Sequence, residues 1–125
     1  MIIDTDVLIW YLRGNVNAKK TIIANVPFKI SVITYLELIQ GVQNKKELGI
    51  LQKQLKNWSI DTLQISENIS TYAMFLVENH FLSHSLELGD ALIAATALET
   101  NEVLLTANDK HYSFIPNINL QKFRP

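Results

Sequence analysis

The sequence predicts an α/β fold with a mainly parallel central sheet. Short apolar segments typical of buried strands alternate with helical segments along the chain, which is the pattern of repeated βαβ units. At 125 residues, with 48% hydrophobic and 18% charged residues, the chain is long enough for one substantial core. No repeat or flexible linker interrupts the alternation, so we expect a single domain over residues 1–125.

The composition limits the chemistry and the compartment. The absence of cysteine excludes disulfides, thiol nucleophiles and thiolate metal sites. No run approaches the ~20 apolar residues that a membrane span requires, and Asp4 stands where a signal peptide would be apolar. We therefore expect a cytoplasmic protein with no membrane partner. The net charge of −1 argues against a protein that coats itself with nucleic acid, although a local basic patch is compatible with it.

The first half of the chain predicts two strands and four helices. Asp4-Thr5-Asp6 before an apolar run is a helix-start signal, and Pro27 closes a later helix. Ser31 or Thr34 can cap the helix at 35–42. Thr34 and Glu37 have the spacing of a capping box, which is a purely structural alternative for Glu37. In order, we expect a strand at 1–4, helices at 7–12 and 17–26, a strand at 28–32, and helices at 35–42 and 44–58.

The second half predicts three strands and two long helices. Residues 91–98 contain no charge and one polar side chain, Thr96, so the helix that begins near Asp90 is expected to be buried on nearly all sides. Gly89 is expected to end the segment before it. Residues 83–85 are expected to form a connection, which would separate His80 from His84 and disfavours a zinc pair. The other elements are a strand at 60–65, a helix at 68–81, a strand at 102–106, a polar turn at 107–112 and an edge strand at 118–123.

Acidic and amide side chains stand where buried strands end or apolar helices begin. Asp4 ends the first strand, Glu37 lies on an apolar helix, and Asp90 opens the most buried helix. Asn108 and Asp109 follow another buried strand. An acid at a helix start is also a common cap, because the helix dipole favours an anion there, so each acid has a structural alternative.

If these acidic residues lie close together in the fold, their surroundings favour a bound metal ion. Unpaired carboxylates among apolar residues are costly, and the chain has only two arginines, Arg13 and Arg124. A hard divalent cation such as Mg²⁺ or Mn²⁺ takes oxygen ligands and works with substrate phosphates. Such a site lowers the pKa of a bound water and stabilises the oxygens of a phosphodiester.

Four segments of the chain together form a recognisable pattern. They are residues 2–9 (IIDTDVLI), 34–38 (TYLEL), 89–97 (GDALIAATA) and 105–112 (LTANDKHY). In order and separation they resemble the PIN-domain ribonucleases, and among them the VapC toxins of bacterial toxin–antitoxin pairs. The resemblance extends over essentially the whole chain and implies a PIN-like three-layer α/β/α sandwich and metal-dependent hydrolysis of RNA.

The resemblance also implies which residues form the site. Asp4, Glu37 and Asp90 would bind Mg²⁺ or Mn²⁺ and serve catalysis. A fourth acidic or amide residue often completes the site in this family. By its position in the family pattern, this fourth residue corresponds to Asn108, but the acidic residue at this place is Asp109. Both are therefore retained as candidate metal ligands, and Asp109 is retained as a catalytic residue.

Further roles follow from the same resemblance, each beside a structural alternative. Thr5 and Thr106 would orient carboxylates or water, or else cap the backbone, and His111 would contact phosphate or simply pack. The expected partners are an RNA such as tRNA, a cognate VapB-type antitoxin and a second copy of the chain. Candidates for steering RNA, or for a solvated helix face, are Lys45, Lys46, Lys53 and Lys56. Candidates for an exposed antitoxin or self-association surface, or for the core, are Trp10, Tyr11, Leu51 and Leu55.

Other functions remain open on the same residues. One is a nuclease directed at DNA, and another is a catalytically silent module that binds nucleic acid. A phosphorylation receiver also uses an acidic pocket with Mg²⁺, but it requires an Asp at the end of the third strand and a lysine after the last, which this chain lacks at the proper spacing.

Overall fold

The computed structural model describes residues 1–125 and contains one five-stranded sheet in which every pairing is parallel. The strand order is β3-β2-β1-β4-β5, which places the predicted C-terminal strand at one edge. The strands are β1 (Ile2–Ile3), β2 (Lys29–Ser31), β3 (Asp61–Leu63), β4 (Leu104–Thr106) and β5 (Leu120–Lys122).

Six α-helices connect and cover the strands. The side chains of Asn15, Asn44 and Ser66 each accept a backbone N–H in the first turn that follows them, so local capping sets three of the helix starts. None of the helices combines the length and the apolar character needed to traverse a bilayer. They are α1 (Thr5–Leu12), α2 (Val16–Ala24), α3 (Val32–Gln40), α4 (Lys45–Asn57), α5 (Glu67–His84) and α6 (Leu88–Thr100), and a 3₁₀ turn covers Asp109–His111.

The sheet separates two hydrophobic clusters. Successive strand residues point to opposite faces, so Ile2 and Leu104 pack with α5 and α6, whereas Ile3 and Leu105 pack with α1, α2 and α4. All four side chains are buried. This arrangement of helices on both faces of a parallel sheet confirms the predicted α/β/α sandwich.

The strand order creates a switch point between β1 and β4. The chain builds outward from β1 through β2 to β3, then returns to place β4 on the other side of β1. Asp4 follows β1, and its backbone N–H donates to the carbonyl of Leu105 at 2.9 Å. Because parallel strands end at the same edge, Asp4 and Thr106 lie side by side where open α/β sheets usually bind ligands.

The start of α3 differs from the prediction. The helix begins at Val32, and its cap is Ser31, whose Oγ accepts the N–H of Ile33 at 3.1 Å. Thr34 is buried inside the helix, so the capping box that we predicted for Thr34 and Glu37 is wrong. Ser31 already supplies the cap one turn earlier, and this leaves Glu37 free for another role.

The boundary between α5 and α6 also differs. The helix α5 continues through His84 and ends at Ser85, which is left-handed with φ 54°, so the predicted connection at 83–85 is wrong. The His84 ring stacks on Phe114 with centroids 4.0 Å apart, and this contact favours the extra turn. Gly89 lies inside the first turn of α6 and does not end the preceding segment.

Two of the four surface candidates belong to the core. Leu51 and Leu55 are buried in the cluster under α4, so of the two alternatives given for them the core is correct. Their spacing of four residues places both on the inward face of this amphipathic helix. Trp10 and Tyr11 are half-buried and pack against the same cluster.

Candidate metal centre

Asp4 lies at the centre of the candidate site and is buried. Its Oδ1 accepts the N–H of Thr5 at 2.8 Å and its Oδ2 accepts the hydroxyl of Thr106 at 2.9 Å. Burial, together with the nearby charges of Asp6 and Asp90, raises the pKa of Asp4 to about 7, although the two hydrogen bonds act in the opposite direction. The carboxylate is therefore well oriented but lacks a compensating charge.

Asp6 is a site residue that sequence reasoning treated only as part of a helix start. Its Oδ2 accepts the N–H of Ala107 at 3.1 Å, which ties the first turn of α1 to the segment after β4. Its Oδ1 is buried without a hydrogen-bond partner, and burial raises the pKa of the carboxyl group. The spacing of Asp6 two residues after Asp4 was the one available signal.

Asp90 opens α6 and is held by two side chains of the turn after β4. The Tyr112 hydroxyl donates to Oδ1 at 3.2 Å, and His111 Nδ1 lies 3.1 Å from Oδ2. Tyr112 is fully buried, and burial together with the charges of Asp4 and Asp90 raises the pKa of its hydroxyl far above the ordinary value. Tyr112 therefore stays protonated and acts as a hydrogen-bond donor beside both acids.

Glu37 reaches the site from α3 and is exposed, so the expectation that it lies among apolar residues is wrong. Its Oε1 accepts the Thr5 hydroxyl at 2.7 Å, and the Thr5 hydroxyl lies 3.0 Å from that of Thr34. A Cβ on Gly89 would lie 3.6 Å from Glu37 Oε2, which shows how closely Glu37 approaches the first turn of α6. Thr5 thus orients one carboxylate with its hydroxyl and Asp4 with its N–H.

Asp109 forms ion pairs with two basic side chains. Its carboxylate accepts a hydrogen bond from Arg124 at 2.8 Å and lies 3.7 Å from the Lys122 ammonium, and the Arg124 contact lowers its pKa. Asn108 has an exposed side chain, while its backbone N–H donates to the Thr106 hydroxyl at 3.0 Å. Asp109 therefore needs no metal ion to neutralise its charge.

We refer to Asp4, Asp6, Glu37 and Asp90 as the acidic centre. No lysine or arginine forms an ion pair with any of them, and the single basic contact is His111 on Asp90. No three histidine or acidic side chains converge closely enough to enclose an ion by themselves. Mg²⁺ commonly retains several waters and takes only one or two carboxylates directly, so this open set of oxygen donors fits it. The buried Oδ1 of Asp6 has no hydrogen-bond partner, which also indicates that the site lacks positive charge.

A second feature adjoins the acidic centre. A groove of about 860 Å³ lies between α1, α3 and α4, and Glu37 forms part of its wall. Half of its lining is hydrophobic, including Leu12, Val42 and Ile50. Of the predicted surface residues, Tyr11 and Leu51 contribute to this groove.

The structure is thus an α/β/α sandwich with an all-parallel sheet and an acidic centre at the switch point of that sheet. The PIN domain family model matches residues 1–115, and the chain therefore belongs to the PIN-domain family. Ribonuclease VapC10 of Mycobacterium tuberculosis is 32% identical over 116 residues, which is 90% of this chain and 85% of that protein.

Solved structures show the same similarity. A chain of a toxin-antitoxin complex from Klebsiella pneumoniae is 29% identical with a TM-score of 0.75, covering 94% of this chain and 93% of that one. A chain of VapBC-1 from nontypeable Haemophilus influenzae is 30% identical with a TM-score of 0.74, covering 97% and 96%. DNA-bound VapBC from Salmonella typhimurium reaches a TM-score of 0.82 at 19% identity, covers 97% and 96%, and supports the fold alone.

Proposed function

We propose that this protein is a metal-dependent endoribonuclease that hydrolyses RNA phosphodiester bonds as the toxin of a type II toxin–antitoxin system. The observation that carries the proposal is the acidic centre, where oxygen donors meet at the switch point with no lysine or arginine to pair with them. The similarity to Ribonuclease VapC10 supports RNA as the substrate. The similarity to toxin–antitoxin complexes supports the biological role.

Asp4 and Asp90 are the residues that we propose to hold Mg²⁺ or Mn²⁺ directly. Glu37, Asp6 and Asn108 complete the site directly or through water. When bound, such an ion supplies a water of lowered pKa and positive charge for the phosphodiester oxygens. Asp4 ionises fully only above about pH 7 in the metal-free protein, so ion binding and deprotonation of Asp4 are coupled.

The neighbouring side chains fix the geometry of these acids. The Thr106 hydroxyl holds Asp4, the Tyr112 hydroxyl holds Asp90, and the Thr5 hydroxyl holds Glu37. Outer partners of this kind typically change metal affinity or activity by about 10- to 100-fold when removed. Asp109 is assigned no metal-ligand role in this proposal, because Arg124 and Lys122 already neutralise it.

The groove beside Glu37 is the surface that we propose for a VapB-type antitoxin. An amphipathic segment fits its lining, with apolar side chains against Leu12, Val42 and Ile50 and a cationic group directed to Glu37 or Glu47. A segment placed there would end against the acidic centre and block access to it. A homodimer, a cytoplasmic location and a single domain over residues 1–125 stay predictions.

The test is cleavage of a total RNA and tRNA pool by the purified protein, with Mg²⁺, with Mn²⁺ and with EDTA. Asp90→Asn is the site variant, and Asp61→Asn is the matched control because Asp61 is exposed on the edge strand β3. We expect metal-dependent cutting that Asp90→Asn abolishes and Asp61→Asn leaves unchanged. Cutting that survives both EDTA and Asp90→Asn would contradict the proposal.

Two rival functions give different outcomes in the same assay. A DNA-directed nuclease on this fold would cut single-stranded or branched DNA and leave the RNA pool intact. A catalytically silent module would cut neither substrate, although it would still unfold cooperatively in differential scanning calorimetry. Mn²⁺ binding measured by calorimetry separates a silent protein with an intact metal site from one that has none.

A further inference from the structure

A small cavity of about 390 Å³ lies beside His111, next to the acidic centre. His111 contributes to its wall and also contacts Asp90 at 3.1 Å, so the cavity and the acidic centre share one side chain. The remaining lining is polar or cationic apart from one alanine. It consists of Ala107, Asn108, Asp109, Lys110 and Arg124.

The Arg124 guanidinium is fixed on several sides. One nitrogen donates to the carbonyl of Phe123 at 3.0 Å and reaches that of Ala107 at 3.4 Å, and the other donates to Asp109 at 2.8 Å. Its side chain is nevertheless 61% exposed, so part of the planar fork faces solvent. A guanidinium held in this way loses little conformational freedom when it binds a further anion.

Charge at the cavity is positive even after Asp109 is counted. Asp109 is shared between Arg124 and Lys122, and Lys110 makes no hydrogen bond or ion pair through its side chain. Two cations contact Asp109, and Lys110 adds a third positive charge to the wall of the cavity. The neighbouring acidic centre has four carboxyl groups and repels a polyanion until it holds a cation, so an adjacent positive site would offset that repulsion.

We propose that Arg124, Lys110 and Lys122 form a phosphate-binding site, with Asp109 as the residue that positions Arg124. Its ligand is a backbone phosphate of the nucleic-acid strand, next to the phosphate at the acidic centre. This inference rests on the proposed function, because it assumes that a nucleic-acid strand reaches the acidic centre. It assigns Asp109 to substrate binding and removes it from the metal site.

The experiment measures binding of a short single-stranded RNA in EDTA by fluorescence anisotropy over a range of salt concentrations. We expect Arg124→Gln to raise Kd about five- to tenfold and to reduce the steepness of log K against log salt by about 0.7, the value for one phosphate contact on a single strand. Lys110→Gln is expected to act in the same direction, and it removes no contact within the fold. Lys20→Gln, on the exposed face of α2, is the charge-matched control and should leave Kd unchanged.

Single-stranded DNA of the same sequence identifies the contacted group. A phosphate contact carries no information about the sugar, so Arg124→Gln should weaken DNA and RNA binding by the same factor. A loss restricted to RNA would indicate a contact to the 2′-hydroxyl and would overturn the assignment to phosphate.

The role of Asp109 is tested by metal binding. Calorimetric titration with Mn²⁺ should give the same affinity for Asp109→Asn and wild type, whereas a metal ligand would lose about tenfold or more. A weakened Mn²⁺ affinity in Asp109→Asn, or an unchanged RNA Kd in both Arg124→Gln and Lys110→Gln, would overturn this inference. Because the anisotropy is recorded in EDTA, it reports on the phosphate site even if the wild-type protein cuts no RNA, which would contradict only the proposed function.

Discussion

Asp4 and Asp109 occupy similar places in the fold and have opposite electrostatics. Asp4 follows β1 and Asp109 lies just beyond β4, so both stand at the same edge of the sheet on neighbouring strands. Asp4 is buried beside other acids, and its pKa rises to about 7. Asp109 is paired with Arg124 and Lys122, and its pKa falls below the ordinary value.

The difference shows that position relative to a strand is insufficient to assign a role to an acid. The nearest cations decide whether the carboxylate requires a metal ion. Asp4 has hydroxyl and N–H donors but no cation, which suits it to hold a divalent ion. Asp109 already has two cations, which suits it to position them.

The largest expected contrast is in RNA cleavage. We expect Asp4→Asn to lower the rate by about 100-fold or more, because it removes a proposed metal ligand, and Asp109→Asn to lower it by less than about tenfold. The measurement is the initial rate of cutting at saturating Mn²⁺. Asp61→Asn serves as the control for loss of a surface charge. Equal losses in Asp4→Asn and Asp109→Asn would erase the distinction between the two acids.

The hydroxyl that supports Asp4 provides the next contrast. Thr106 is buried, donates to Asp4 and accepts the N–H of Asn108. Thr106→Val leaves these groups without a partner and should lower the free energy of unfolding by about 1–3 kcal/mol, measured by urea denaturation. Thr106→Ser restores the hydroxyl and should recover most of the loss. A Thr106→Val variant as stable as wild type would contradict this role of the hydroxyl, because valine keeps the γ-methyl group and removes only the hydrogen bonds.

The raised pKa of Asp4 predicts a pH dependence of stability in EDTA. The folded pKa of about 7 exceeds the ordinary value of 3.8, so the folded state binds more protons between these values and stability falls as pH rises from about 4 to about 7. Asp4→Asn should flatten this slope and stabilise the metal-free protein at pH 8 by about 1–2 kcal/mol. Thermal unfolding at several pH values measures both effects. A wild-type protein that becomes more stable from pH 5 to pH 8 would contradict the shift.

The smallest expected effect concerns Asp109 and has the opposite sign. Its folded pKa lies below 3.8, so its contribution to stability is present above that value and is lost as pH falls through the folded pKa. Arg124 and Lys122 are both well exposed, and solvent screening keeps the contribution small. Thermal unfolding of Asp109→Asn below pH 4 should decline slightly less steeply than that of wild type, and a steeper decline would contradict the pairing.

Much of the fold was predictable because it depends on local signals and hydrophobic pattern. Buried apolar runs and alternating patterns located the five strands, and the uncharged stretch from Ala91 to Leu98 located the most buried helix. The position of Asp4 at the end of β1 followed directly from those runs. The start of α3 was missed, since Ser31 and Thr34 are both acceptable caps and the choice between them depends on packing.

The pairing of Asp109 with basic side chains was not predictable from the local sequence pattern. The partners of Asp109 are Lys122, at the end of β5, and Arg124, two residues beyond it. Lys122 reaches Asp109 because β5 pairs in register with β4, with Thr106 opposite Lys122. That register is a property of the assembled sheet. The role of Asp6 was missed for a related reason, because its partner, the N–H of Ala107, lies about 100 residues away in the chain.

The small residues of α6 have a consequence for engineering. Ala91, Ala94, Ala95 and Ala97 are buried between the sheet and α5, and the same helix carries Asp90 in its first turn. A larger side chain at one of these alanines is expected to shift the whole helix by a fraction of an ångström, at a cost of about 1–3 kcal/mol. The position of Asp90 relative to Asp4 thus depends on buried methyl groups of the same helix, and substitutions there are expected to alter the proposed metal site without changing any charged residue.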